Sequence, residues 1–158
     1  MKLREFSNSG LVGYWKMNEE AGATVKDYSE NENTGTATDG TKVAGKILGK
    51  AISFDGVDDD VTMSDSASLS PTRLSVEIWA RADAALTSRF LLCKRVSVSS
   101  QRAYGLLIDS AGIYDFRVSF DGAIVTSVVG TATHTTSWEN VVGTFDGSII
   151  SLFINGVL

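Results

Sequence analysis

The sequence predicts an all-β fold: a two-sheet antiparallel β-sandwich of the jelly-roll type. Two observations carry that reading. Val, Ile, Thr, Phe, Tyr and Trp fall in short runs cut by Gly, Asp, Asn and Ser, and no helical periodicity of useful length appears. The chain also spells Phe-Asp-Gly repeatedly, at Phe54-Asp55-Gly56, Phe120-Asp121-Gly122 and Phe145-Asp146-Gly147, with Ile154-Asn155-Gly156 as a variant. Asp-Gly and Asn-Gly after an apolar residue are strong hairpin signals, because both residues tolerate the positive φ of a type I′ turn.

In chain order, strands are expected at residues 11–17, 34–38, 50–54, 57–63, 73–81, 90–96, 102–109, 113–120, 123–129, 139–145 and 148–154. Pro71 falls between two of them, where its missing N–H does no harm. Within 113–120, Tyr114, Phe116, Val118 and Phe120 share one face, and Asp115, Arg117 and Ser119 share the other. That alternation describes a strand half-buried in one sheet of a sandwich. Within 73–81, Val76, Ile78 and Ala80 face one way, and Glu77, Trp79 and Arg81 the other. The 148–154 strand is apolar on both faces, so a central position is expected. The first nine residues are polar and are expected to form a loosely ordered segment (1–9) ahead of a single domain at 10–158.

Bulk properties narrow the function. A chain of 158 residues suits one domain with a substantial core. Hydrophobic residues make up 43% and charged residues 21%, which places it among folded globular chains. Its net charge of -5 argues against nucleic acid, where a basic patch supplies most of the affinity, and against anionic lipid. No stretch is long and apolar enough for membrane insertion, and no signal peptide is visible. Cys93 is the single cysteine, so no intrachain disulfide forms, and burial as a small apolar residue is expected for it.

Several segments resemble one family. They are the run from Gly10-Leu11-Val12-Gly13-Tyr14-Trp15, the stretch Asp27-Tyr28-Ser29-Glu30-Asn31-Glu32-Asn33, and Gly49-Lys50-Ala51-Ile52-Ser53-Phe54-Asp55-Gly56 with Asp58-Asp59-Asp60 behind it. Further on come Leu74-Ser75-Val76-Glu77-Ile78-Trp79 and Trp138-Glu139-Asn140-Val141-Val142-Gly143-Thr144-Phe145. In this order they resemble laminin-G-like domains of the concanavalin A-like lectin/glucanase superfamily. The resemblance implies a concanavalin A-like sandwich, and an extracellular or surface-exposed setting. Two departures stand out. Glu30 and Glu32 occupy positions where the family has Gly, so the loop is expected to take a different path. The family also continues beyond the Asn155-Gly156 turn, so the domain reads as C-terminally truncated, lacking the last family strands. Self-assembly or strand donation at that C-terminal edge is the expectation that follows.

Three chemistries compete for the site. Asp27, Ser29, Asn31 and Asn33 place oxygens at every second residue, and Asp58, Asp59 and Asp60 add carboxylates. Hard cations take six to eight oxygens from such loops, so Ca²⁺ is the candidate cofactor, with Asp27, Asn31, Asn33, Asp58 and Asp59 as ligands. The same residue types are also ordinary turn formers. A glycan surface would use aromatics and planar polar groups, and Glu77, Trp79, Arg81 and Tyr104 are the candidates. Trp15, Trp79 and Trp138 also fall where the family packs its core, which gives each a structural reading. Glycoside hydrolysis needs two carboxylates; Glu77-Ile78-Trp79-Ala80-Arg81 supplies one, with Arg in the partner's place. His134 is the sole histidine, in a loop, and a surface role is expected. The functional reading is a non-catalytic binding and adhesion module for glycan or protein ligands, assisted by Ca²⁺. The alternative is a structural subunit of a surface filament or virion.

Overall fold

The computed structural model describes residues 10–46, 49–94, 103–119 and 125–158. The expected segment 1–9 and the Phe120-Asp121-Gly122 turn lie outside the described residues. The chain is all-β, with one short 3₁₀ turn at Ala67–Leu69 and no α-helix among the described residues. It forms two compact units, Met1–Leu69 and Ser70–Leu158.

The first unit contains β1 (Thr24–Val25), β2 (Gly35–Thr38), β3 (Thr41–Ala44), β4 (Lys50–Ser53) and β5 (Asp60–Met63). β1, β2 and β5 form one antiparallel sheet, and β3 pairs with β4. The expected strand at 11–17 is not formed; Trp15 makes an isolated bridge to Asp27. Its backbone cannot run as a regular ladder, because the Tyr14 N–H is taken by the Asp27 carboxylate and Met17 sits at φ +56°. β1 and β3 carry no sequence signal of their own, being only two and four residues long.

The second unit contains β6 (Leu74–Ala80), β7 (Arg89–Lys94), β8 (Ala103–Ile108), β9 (Ile113–Ser119), β10 (Val125–Thr133), β11 (Glu139–Phe145) and β12 (Ile150–Ile154). Two antiparallel sheets result, one ordered β10-β9-β8-β7 and one ordered β12-β11-β6. Between them lies the core: Leu106, Ile108, Tyr114, Phe116 and Val118 from the first sheet meet Val141, Phe145 and Leu152 from the second. The alternation read from residues 113–120 therefore points its aromatic face inward. β12 ends its sheet rather than lying centrally, since its only strand partner among the described residues is β11. Its two-faced apolarity arises because Ile150, Leu152 and Ile154 pack on the core while Phe153 stays half-buried on the other face.

At Gly143 the two sheets lie in direct backbone-to-ring contact. A Cβ there would stand 2.5 Å from Cγ and Cδ2 of Phe116, a ring with no exposed surface. Only a residue without a side chain lets β11 lie on that ring.

The turns divide into two kinds. Asn155 and Gly156 both have positive φ (53° and 80°), and Ile154 and Val157 exchange backbone hydrogen bonds of 2.8 and 3.0 Å, which is the expected two-residue type I′ hairpin. The two described Phe-Asp-Gly turns differ: Gly56 and Gly147 are left-handed while Asp55 and Asp146 are not, and the Asp carboxylates cap the following N–H groups. Asp55 accepts from Val57 N, and Asp146 from Ser148 N and Ile149 N. These are Asx turns, a second way in which Asp favours a chain reversal.

Gly143→Ala is expected to lower stability by about 1–3 kcal/mol, the usual cost of overpacking a core. Thr144→Ala, on the opposite face of the same strand, should stay within about 0.5 kcal/mol. Chemical denaturation of the two variants checks the contrast.

Candidate functional site

The loop that follows β1 is organised by one carboxylate. Asp27 is 5% exposed and accepts four hydrogen bonds, each of 2.8 Å: Oδ1 from Tyr14 N and Ser29 N, Oδ2 from Ser29 Oγ and Asn33 N. Burial alone would raise its pKa, but the donors, led by the Ser29 and Tyr14 backbone N–H groups, outweigh it and hold the carboxyl below the ordinary aspartate range. Asn33 extends the knot by donating from Nδ2 to Val12 O (2.8 Å) and Ser68 Oγ (3.0 Å). Asn31 Nδ2 donates to Leu11 O (3.1 Å), and Trp15 Nε1 donates to Asn33 O (2.8 Å). Glu32 adopts φ +54° in this loop, so the left-handed geometry expected to be lost is kept despite its side chain.

This arrangement tests the fit of a cation directly. A carboxylate offers about four lone-pair sites, and all of those on Asp27 receive N–H or O–H donors. Asp27 is therefore a structural anchor and does not fit as an ion ligand. The anticipated ligand set divides: Asp27, Asn31 and Asn33 belong to the knot, while Asp58 and Asp59 join Asp55 elsewhere. Carboxylate oxygens of Asp55, Asp58 and Asp59 lie within 4.8 Å of one another, and Asp27 is not among them. Asp59 Oδ2 also accepts from Asp55 N (2.8 Å), which fixes the corner.

The second candidate surface lies on the outer face of the β12-β11-β6 sheet. Glu77 and Trp79 point outward between the inward Val76, Ile78 and Ala80, and Arg81 continues the exposed row. Trp79 is 37% exposed and stands opposite Asn140 of β11. Asn140 Nδ2 donates to Glu77 Oε1 (2.8 Å). The Arg81 guanidinium lies 5.6 Å from the centre of the Trp138 ring and pairs with Asp83 at 3.1 Å. Three of the anticipated ligand residues thus share one face, joined by Asn140 and Trp138. Tyr104 does not join them. It lies in β8 of the other sheet, where it alternates with Leu106 and Ile108 and packs on the core, and burial raises its pKa.

Two buried acidic groups were not anticipated. Asp115 is 2% exposed; its Oδ2 accepts from Arg117 Nε (2.7 Å) and Nη2 (2.6 Å), while its Oδ1 and the Oγ of Ser119 have no hydrogen-bond partner among the described residues. The polar alternation of 113–120 was legible, but not that two members of this face would be buried. Glu139 is also buried, accepting from Tyr114 Oη (2.9 Å) and Thr135 N (2.8 Å). Burial and that carboxylate hold the Tyr114 hydroxyl protonated, well above its ordinary range. His134 is half-buried rather than free on the surface, its Nε2 accepting from Leu86 N (2.8 Å). Cys93 is exposed rather than buried.

The chain is an antiparallel β-sandwich with an acidic corner in its first unit and a polar-aromatic strip on a sheet face of its second. Residues 55–158 match a laminin G family described as the concanavalin A-like lectin/glucanases superfamily. The chain belongs to that family. Among solved structures it is similar to an S-layer domain-containing protein from Clostridium thermocellum ATCC 27405 (residues 221–444). The likeness has a TM-score of 0.63 and 24% identity, over 91% of this chain and 68% of that one. No curated protein matches the chain significantly. No helix among the described residues is long and apolar enough to cross a membrane.

Asp27→Asn is expected to destabilise the protein by about 2–3 kcal/mol, because an amide NH₂ would face donors where an oxygen accepted. The folded pKa of Asp27 lies below its unfolded value, so its contribution is complete above the ordinary aspartate range. It is lost as pH falls through the folded value. Denaturation midpoints measured from pH 7 down to pH 2 should therefore converge for the wild type and Asp27→Asn at the acid end.

Proposed function

We propose that the chain is a non-catalytic binding and adhesion module of an outer surface, recognising glycan or protein ligands. The observation that carries this reading is the strip on the outer face of β6 and β11. An exposed indole, Trp79, stands beside the hydrogen-bonded Glu77–Asn140 pair and the Arg81–Trp138 stack. Aromatic rings stack on the apolar faces of sugars, and planar amide, carboxylate and guanidinium groups take the hydroxyls. The arrangement holds its polar groups in fixed geometry before a ligand arrives, which limits the ordering cost of binding. Likeness to an S-layer domain-containing protein supports a surface setting.

The strip supports no hydrolytic reading. Glu77 is held by Asn140, and the carboxylate at the strip's end, Asp83, is paired with Arg81, so neither is placed against the other as a hydrolytic pair would be. Calcium assistance is best assigned to the Asp55–Asp58–Asp59 corner, where three carboxylates supply part of the six to eight oxygens required. Assembly of copies through a strand edge is the second reading, favoured by β12, which pairs with one strand only among the described residues.

A glycan array probed with the wild type and with Trp79→Ala tests the first reading. The variant should lose about 2 kcal/mol of affinity, roughly thirtyfold, for any glycan that scores. Equal signals from the two proteins would remove the strip as the ligand face, and ordered self-assembly without any glycan signal would favour the second reading. Calcium should raise the melting temperature of the wild type and leave that of Asp58→Asn/Asp59→Asn unchanged. An equal response in both would take the ion away from this corner.

A further inference from the structure

Two connectors cross between the sheets of the second unit at the same end. Residues 81–88 run from β6 to β7, and residues 134–138 run from β10 to β11. They start side by side, because Glu139 at the head of β11 stands opposite Ala80 at the tail of β6. Each carries one member of the strip's end: Arg81 belongs to the first, and Trp138, with its ring centre 5.6 Å from the guanidinium, to the second.

A second contact joins the same two segments. Leu86 N donates to His134 Nε2 at 2.8 Å, and His134 Nδ1 lies 3.2 Å from Thr135 O. Both contacts demand one form of the ring. A backbone N–H only donates, so Nε2 must offer its lone pair; a carbonyl only accepts, so the proton sits on Nδ1. The imidazolium carries a proton on both nitrogens and would set N–H against N–H at Leu86.

The two segments are not held equally. His134 N donates to Gly112 O (2.9 Å) and Thr135 N to the buried Glu139 carboxylate (2.8 Å), so 134–138 is tied down whatever the ring does. From Ala82 to Thr87, the bond to His134 is the one hydrogen bond to another element among the described residues. Leu86 packs on the core, while Ala84, Ala85 and Thr87 around it are exposed. The next tie is Ser88 N to Asp109 O (2.9 Å). Around the ring, Tyr114 of β9 stands edge-on at 6.4 Å. The neighbouring carboxylates are engaged: Glu139 accepts from Tyr114 Oη and Thr135 N, and Asp109 from Ala111 N and Ile113 N. Arg81 and Asp83 pair with each other at the far end of the connector. None of these charged groups hydrogen-bonds His134 among the described residues.

We propose that His134 is a pH-responsive positioning residue for the outer strip. As a neutral ring it latches residues 81–88 to 134–138 and keeps Arg81 placed on Trp138. As a cation it releases Leu86, and the Arg81–Trp138 end loosens. Histidine changes charge between about pH 5 and 8, so the end of the strip is set in neutral medium and slackened in acid. The consequence for a ligand rests on the strip reading given above; the latch itself needs no ligand.

NMR of the ligand-free full chain, titrated from about pH 8 to pH 5, tests it. His134 is the sole histidine, so its ring signals are unambiguous. At the upper pH, Nε2 should be the unprotonated nitrogen. The Leu86 amide and the Trp138 indole N–H should then shift with the same midpoint as the His134 ring, while the Trp15 indole stays fixed. Protection of the Leu86 amide against hydrogen exchange, corrected for the intrinsic rate, should fall by about fivefold to tenfold, the worth of one hydrogen bond. In His134→Gln an amide oxygen can accept from Leu86 N and does not titrate, so the Leu86 and Trp138 signals should hold steady. Shifts caused by Glu139 or Asp109 would persist in that variant and so be told apart. A proton on Nε2 at the upper pH, unchanged Leu86 protection, a Trp138 indole that ignores the His134 titration, or one that still titrates in His134→Gln would each overturn the proposal. The exchange measurement needs no variant. No ligand enters the experiment, so a failure of the glycan array leaves its outcome unchanged.

Discussion

The missing side chain at Gly143 is the constraint on which the second unit rests. Phe116 lies wholly inside the core, and β11 reaches it only because nothing projects from the strand at that point. The contact lets β11 lie directly on the facing sheet, while the backbone ladder holds β11 against β6. Their register then sets Asn140 opposite Trp79 and Val142 opposite Glu77. The outer strip and the inner packing thus share one strand, β11. Strand period does the rest: with Val76, Ile78 and Ala80 turned inward, Glu77 and Trp79 must face outward.

A different device governs the first unit, whose two sheets contain only short strands. Few ladder bonds are available to hold residues 10–17, so a single buried carboxylate gathers them. Asp27 ties Tyr14 to Ser29 and Asn33, and Asn33 carries the link on to Val12 and Ser68. The residue types that suggested a cation site are the same ones that build such a knot, because Asp and Asn serve ions and backbone N–H groups with the same oxygens. What decides between the two is the direction of the donors, which only the folded chain reveals.

Much of the fold was legible in the sequence. The strand at 139–145 was read at its observed bounds, since apolar alternation there is bracketed by Trp138 and an Asp-Gly turn. The type I′ turn at Asn155-Gly156 follows from residue chemistry alone. Residues 11–17 misled because β-propensity cannot register a side chain from Asp27 claiming the Tyr14 N–H. Glu77, Trp79 and Arg81 were legible as one face through their two-residue period. Tyr104 could have been excluded by the same rule, since it alternates with Leu106 and Ile108 and so belongs to the core side. The burial of Asp115 and the role of Glu139 depend on tertiary neighbours and left no local signal.

The central claim is that the chain binds its ligand through the outer face of β6 and β11. The three tryptophans allow it to be tested in one spectrum, because their indole N–H resonances report on three settings. Trp15 is tied to the Asn33 carbonyl, Trp79 stands on the strip, and Trp138 stacks under Arg81. On titration with the strongest glycan from the array, the Trp79 and Trp138 resonances should shift together while that of Trp15 stays fixed. A shift confined to Trp15, or none at all, would contradict the account.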